Sequence, residues 1–132
     1  MKLNTLTAAS LSIALLAACS ERAPTELDET TRAQIDCLAA QTVVSISNTV
    51  RDGLAAGQTP EQLANVDSDA IKASTSLLVS RISAPGARAS FTAEVERRLD
   101  AVQTGLGAPD SEAGALMNET FALAATCKFG GA

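Results

Sequence analysis

Four stretches of this sequence repeat apolar residues at intervals of three and four, separated by glycine, proline or polar capping residues. This spacing places apolar side chains on one face of an α-helix, which has 3.6 residues per turn. No stretch shows the sustained alternation of a half-buried strand. The pattern therefore predicts an all-α domain of about four helices, near residues 27–54, 59–82, 87–104 and 111–127.

Each predicted helix supplies its own candidates for the core. They are Leu27, Ile35, Leu38, Ala39, Val43, Ile46, Val50 and Leu54 in the first helix; Leu63, Val66, Ala70, Ile71, Ser74, Leu77, Leu78 and Ile82 in the second; Phe91, Val95, Leu99, Val102 and Leu106 in the third; and Leu116, Met117, Thr120, Leu123, Ala124 and Cys127 in the fourth.

Capping residues mark the helix ends. Gly53 and Gly57 are expected to end the first helix. Thr59 begins a capping box that Gln62 closes, with proline at the first helical position between them. The run 67–69 offers a second cap, so the sequence leaves open whether the second helix is continuous or split there.

The composition excludes several kinds of activity. The chain has no His, so it lacks the usual general base and the imidazole metal ligand. It has no Trp or Tyr and a net charge of −5, which argues against binding nucleic acid. No cofactor motif is present, and we expect a non-enzymatic protein with no catalytic residues, no metal and no cofactor.

Charged residues on the predicted helices have ordinary interpretations. Asp67 and Asp69 resemble the start of a calcium loop, but Lys72 occupies the position that needs glycine, so a capping role is expected. The acidic residues of the third helix alternate with arginines, which predicts a solvated charged face; these residues are Glu94, Glu96, Arg97, Arg98 and Asp100. Arg81 and Arg88 flank a turn and are expected to be ordinary surface charges rather than an anion site.

The N-terminus has the layout of an export signal. One lysine precedes a short apolar run that ends Leu16-Ala17-Ala18-Cys19. This ending resembles the lipobox of bacterial lipoproteins, and the resemblance covers only the leader. It implies a signal peptide over residues 1–18, a lipidated segment and linker over 19–25, and a helical periplasmic domain over 26–132. The alternative is an ordinary signal peptide that is cut near Ala18, with no lipid.

The resemblance also implies an attachment and a location. Cys19 would carry a diacylglyceryl group, with a further acyl chain such as palmitate on its amino group. Several chains are needed because a single chain binds membranes only reversibly. Ser20 points to the outer membrane, with the domain facing the periplasm. The mature chain has a net charge of −6, so the lipid rather than charge is expected to hold it to the membrane.

Export also bears on the two remaining cysteines. In an oxidising compartment, Cys37 and Cys127 are expected to form a disulfide; two unpaired buried thiols are the alternative. Short connections predict an up-and-down bundle, in which the first and last helices are antiparallel neighbours. That topology brings the two cysteines together, and a domain with few large apolar residues needs such a cross-link.

These features predict a small envelope lipoprotein with a binding or structural role. The membrane is its first partner, through the lipid on Cys19, and another envelope protein is its expected second partner. One alternative is a protective periplasmic binder, either a toxin immunity protein or a stress chaperone. Another is a carboxylate-dependent hydrolase, which requires a cavity holding two acidic groups with shifted pKa values.

Overall fold

The computed structural model describes residues 27–130, which form four α-helices and no β-strand. This confirms the predicted small all-α bundle. The helices are α1 (Glu29–Ala55), α2 (Val66–Arg81), α3 (Ala87–Gly107) and α4 (Glu112–Thr126). The predicted lipobox and Cys19 lie outside the described residues.

Contacts between the helices establish the up-and-down order. The Thr42 hydroxyl of α1 lies 2.7 Å from that of Ser74 in α2. The first turn of α1 and the residues that follow α2 line the same surface cavity. The start of α1 therefore lies beside the end of α2, so the two helices are antiparallel. The α1 helix packs against all three other helices, whereas α2 and α4 do not contact each other. The bundle is therefore flattened, with α1 and α3 packed together at its centre and α2 and α4 at its edges.

The core lies where α1 and α3 meet. Its largest fully buried apolar members are Ile35 and Val43 from α1, Leu78 from α2, and Phe91 and Val95 from α3. These side chains are fully buried, and the α4 residue Met117 packs against them from the edge. Every buried side-chain nitrogen or oxygen within residues 27–130 has a hydrogen-bond partner. The small core therefore buries its large apolar side chains without leaving a described buried polar side-chain atom unpaired.

The α3 and α4 helices approach each other closely because Gly105 of α3 has no side chain. A Cβ atom at Gly105 would lie 3.0 Å from the Cα atom of Gly114, which is closer than real Cβ atoms normally come. In the connection before α4, the backbone of Pro109 fills the space that a Gly114 side chain would need. The tight connection over residues 108–111 depends on this approach.

The predicted capping box forms, but no α-helix follows it. The Thr59 N–H donates to the Gln62 side chain at 2.8 Å, and the Gln62 N–H donates to the Thr59 hydroxyl at 3.2 Å. Residues 60–65 then form turns, and α2 begins at Val66. The two Leu63 methyl groups pack on Gly53, which holds this segment against the end of α1. The break before Val66 agrees with the predicted split, but the short helix expected ahead of it does not form, because residues 60–65 are turns.

Several helix boundaries differ from the prediction in detail. Gly53 does not end α1 but lies buried within its last turn, and Gly57 follows the helix in a left-handed conformation with φ +89°. Asp67 and Asp69 lie in the first turn of α2, and the N-cap is Asn65, which makes no side-chain capping bond. At the start of α4, Ser111 is the N-cap and accepts from the Gly114 N–H at 3.2 Å.

Three leucines predicted to lie in the core are exposed instead. Leu54 and Leu106 lie in the last turns of α1 and α3, where the preceding glycines Gly53 and Gly105 occupy the buried side of each helix. Leu77 belongs to α2, where Leu78 is the only buried residue. For Leu77 the reason is geometric, because a helix at the edge of a bundle is covered along a narrower stripe than its apolar residues occupy.

Candidate functional site

A cluster of charged side chains joins α3 to α4 and faces α1. At its centre is Arg98 of α3, whose side chain is only 2% exposed. The Arg98 guanidinium donates to Glu94 at 2.9 Å through Nε, to the Thr120 hydroxyl at 3.1 Å through Nη1, and to Glu119 at 3.5 Å through Nη2. Arg97 forms a second ion pair with Glu94. Asp36 of α1 is close enough to experience the charges of Glu94 and both arginines.

The structure corrects the predicted solvated face at two positions, because Arg98 is buried and Glu94 is partly buried, whereas Glu96, Arg97 and Asp100 are exposed as predicted. A buried charge is tolerated only when it is paired and hydrogen-bonded, and Arg98 has three partners. The sequence contains a signal for this arrangement. Position 98 continues the buried spacing of Phe91 and Val95 and is followed by Val102 at four residues, so Arg98 occupies a core position of α3.

The cluster shifts the pKa values of two carboxyl groups in opposite directions. Burial raises the pKa of Asp36 above its ordinary value, and the nearby negative charge of Glu94 raises it further. Burial acts to raise the pKa of Glu94 as well, but hydrogen bonds and positive charge from Arg97 and Arg98 outweigh it, so the pKa ends below its ordinary value. The hydrogen bond to Glu94 raises the pKa of Arg97.

An open groove of about 500 Å³ lies beside this cluster, between α3 and α4. Arg97 and Glu119 extend from the cluster into it, and Asp100 and Glu112 complete its charged lining. Small side chains form the rest of the lining apart from Leu116. The groove therefore presents both signs of charge around a narrow apolar floor. The two carboxyl groups of the cluster with shifted pKa values, Asp36 and Glu94, do not line it.

The predicted disulfide forms between Cys37 and Cys127, whose Cα atoms are 5.8 Å apart. The Gln41 amide donates to the Cys127 carbonyl oxygen at 3.1 Å, which orients the chain where α4 ends. Cys37 is buried, although its position off the main apolar stripe predicts a cross-linking role rather than a core one. The disulfide explains both the burial of Cys37 and its position off the stripe, because it holds the end of α4 against this side of α1.

The other predicted site residues are not brought together. Arg81 and Arg88 are both exposed, and they line different surface cavities, Arg81 beside the start of α1 and Arg88 between α2 and α3. Glu96 is exposed on α3. Among residues 27–130, no three acidic or cysteine side chains are arranged to hold a metal ion.

Comparison of the chain with protein-family models, with curated proteins and with solved structures finds no match. In the described part of the chain, no helix combines the length and apolar character needed to cross a bilayer.

Proposed function

We propose that this protein is a lipoprotein of the bacterial outer membrane, anchored by acyl chains on Cys19. Its helical domain would face the periplasm and bind another envelope protein without catalysing a reaction. The observation that carries the proposal is the pairing of Cys37 with Cys127. A structural disulfide of this kind belongs to exported proteins, which agrees with an export signal at the N-terminus.

The pairing also isolates the third cysteine. The chain has three cysteines, and the disulfide uses the two in the helical domain. Cys19 therefore has no cysteine within the chain with which to pair, and it occupies the lipid-accepting position of the sequence Leu16-Ala17-Ala18-Cys19. Lipidation accounts for this thiol, because a cysteine without a disulfide partner is otherwise unusual in an exported protein.

The groove between α3 and α4 is the surface that best suits a protein partner. Its walls are rigid because Arg98 ties the two helices together and Gly105 permits their close approach. Side chains of both charges line the groove, and such lining favours one orientation of a partner over others. A rigid surface also limits the conformational entropy lost when a partner binds.

Mass spectrometry of the native protein tests the anchor. The expected N-terminus begins at Cys19 and carries three acyl chains, and a Cys19→Ala variant should incorporate no labelled palmitate. A Cys127→Ala variant is the matched control, because it also removes one cysteine but leaves the lipobox intact, and it should incorporate label. An unacylated mature N-terminus in the native protein would overturn the proposal.

Site-specific photocrosslinking in intact cells tests the binding surface. A crosslinking residue in place of Ala115, which lies exposed in the groove, should capture one envelope protein in high yield. The control position is Ala89, which is equally exposed on α3 but away from the groove. Equal capture from both positions, or capture from neither, would contradict a partner at the groove.

A further inference from the structure

The two ends of the bundle carry opposite charge. We define the proximal end as residues 28–34, 81–88 and 127–130, which contain the start of α1, the turn between α2 and α3, and the end of α4. The distal end comprises residues 51–69 and 100–112. The structure groups the proximal segments, because the first turn of α1 adjoins Lys128 on one side and Arg81 on the other. Gly130 lies directly against the Arg81 guanidinium.

The proximal end is rich in cations. Its four basic side chains are exposed, and none of them forms an ion pair with a described residue; they are Arg32, Arg81, Arg88 and Lys128. Two acidic residues oppose them, so the net charge of these described segments is +2. One of the two, Asp28, is engaged in capping α1 through the Thr31 N–H at 2.7 Å.

The distal end is strongly acidic. It carries seven carboxylates and a single cation, Arg51, which is paired with one of them, so its net charge is −6. The carboxylates belong to Asp52, Glu61, Asp67, Asp69, Asp100, Asp110 and Glu112. Helix dipoles do not produce this polarity, because two helices start and two helices end at each end of an up-and-down bundle.

The separation of the two ends means that a charged surface can attract one end without repelling the whole molecule. The 27 residues of α1 extend about 40 Å, whereas charges in physiological salt are screened over about 8 Å. A membrane in contact with the proximal end therefore interacts with its cations and only weakly with the distal carboxylates. The overall negative charge of the chain does not predict this behaviour.

We propose that the proximal end seats against anionic phospholipid headgroups, with Arg32, Arg81, Arg88 and Lys128 directed at their phosphates. The proposal rests on the lipid anchor proposed above, which would bring this end to the surface. The seven residues from Ser20 to Glu26 can span at most about 25 Å, and they lead into the start of α1. Seated in this way, the bundle stands upright with its acidic end directed away from the membrane.

Hydrogen exchange of the native lipidated protein in vesicles tests the seating. Amides of residues 81–88 should exchange more slowly in vesicles containing phosphatidylglycerol than in phosphatidylcholine alone, and added salt should remove the difference. An Arg81→Gln/Arg88→Gln variant should weaken the seated state about 25-fold, since each cation near an anionic surface contributes a factor of about five. A Lys72→Gln variant is the control, because Lys72 is an exposed cation without an ion pair in the middle of α2.

Three outcomes would overturn the seating. Equal exchange in the two kinds of vesicle would show that the end does not contact headgroups, and an equal loss in the Lys72→Gln variant would show that only total charge matters. Slower exchange produced by inorganic phosphate without vesicles would indicate an anion site instead. If Cys19 proves unacylated, the anchor proposal fails separately, and the same comparison is made with vesicles added to the unlipidated protein.

Discussion

The α1 and α2 helices contain similar apolar residues but occupy very different environments. Nine residues of α1 are buried, because α1 contacts three other helices, whereas α2 contacts two and buries Leu78 alone. Val79 of α2 is fully aliphatic and is still 53% exposed. Position within the bundle, rather than apolar content, therefore decides how much each helix contributes to stability. We expect α1, α3 and α4 to behave as one cooperative unit and α2 to open first.

The largest expected effect comes from removing the disulfide that joins α1 to α4. A Cys37→Ser/Cys127→Ser variant should lose about 4–5 kcal/mol of unfolding free energy, because the bridge closes a loop of about 90 residues. Denaturant unfolding with and without reductant measures this loss. The reductant should have no effect on the double variant, and a wild-type stability that is insensitive to reduction would contradict the prediction.

Side-chain truncations in α3 and in α2 should show whether the two helices unfold together. Phe91→Ala in α3 should cost about 3–5 kcal/mol and speed hydrogen exchange throughout the bundle, because Phe91 is fully buried at its centre. Leu78→Ala should cost about 2–3 kcal/mol and speed exchange mainly within α2. Uniform acceleration in both variants would show that α2 is part of the same cooperative unit.

The two shifted carboxyl groups should give opposite responses to substitution. Since the pKa of Glu94 is lowered by folding, its charge stabilises the fold above the ordinary glutamate pKa, and this stabilisation is lost as pH falls through the folded-state value. Glu94→Gln should therefore reduce stability at neutral pH and have less effect in acid.

Asp36 should behave in the reverse way, because its raised pKa means that the folded state favours the protonated form. Its contribution is present in acid and is lost as pH rises through the folded-state pKa, so Asp36→Asn should increase stability at neutral pH and not in acid. Thermal unfolding across the acid range compares the two variants. A change of the same sign in both would contradict the assignment of the cluster.

The smallest expected effect concerns the polar contact that joins α2 to α1. Ser74→Ala removes the hydrogen bond between the Ser74 and Thr42 hydroxyls and should cost about 0.5–1.5 kcal/mol. Ser76→Ala is the matched control, because Ser76 is exposed on the same helix. Hydrogen exchange should report the change within α2, and a larger loss in the control variant would contradict a role for this contact.

Periodicity and capping patterns were sufficient to predict four helices, the short connections predicted the up-and-down order, and the export signal with two remaining cysteines predicted the disulfide. They were insufficient at two kinds of position. Leu77 carries the apolar signal of a core residue, but a sequence pattern does not say which helix lies at an edge. Arg98 lies on the buried face of α3, yet its charge conceals this until partners such as Thr120, 22 residues away, are known. Burial of an arginine depends on contacts between helices, which spacing within one helix does not describe.

The disulfide also determines what a protease can release. Cys37 lies in the third turn of α1 and Cys127 directly follows α4, so both connections at the distal end, residues 56–65 and 108–111, fall between them. A single cut in either connection would leave two fragments that are still covalently joined. The nicked protein would keep its full mass until it is reduced, and the C-terminal fragment would stay attached to the segment that carries the N-terminus.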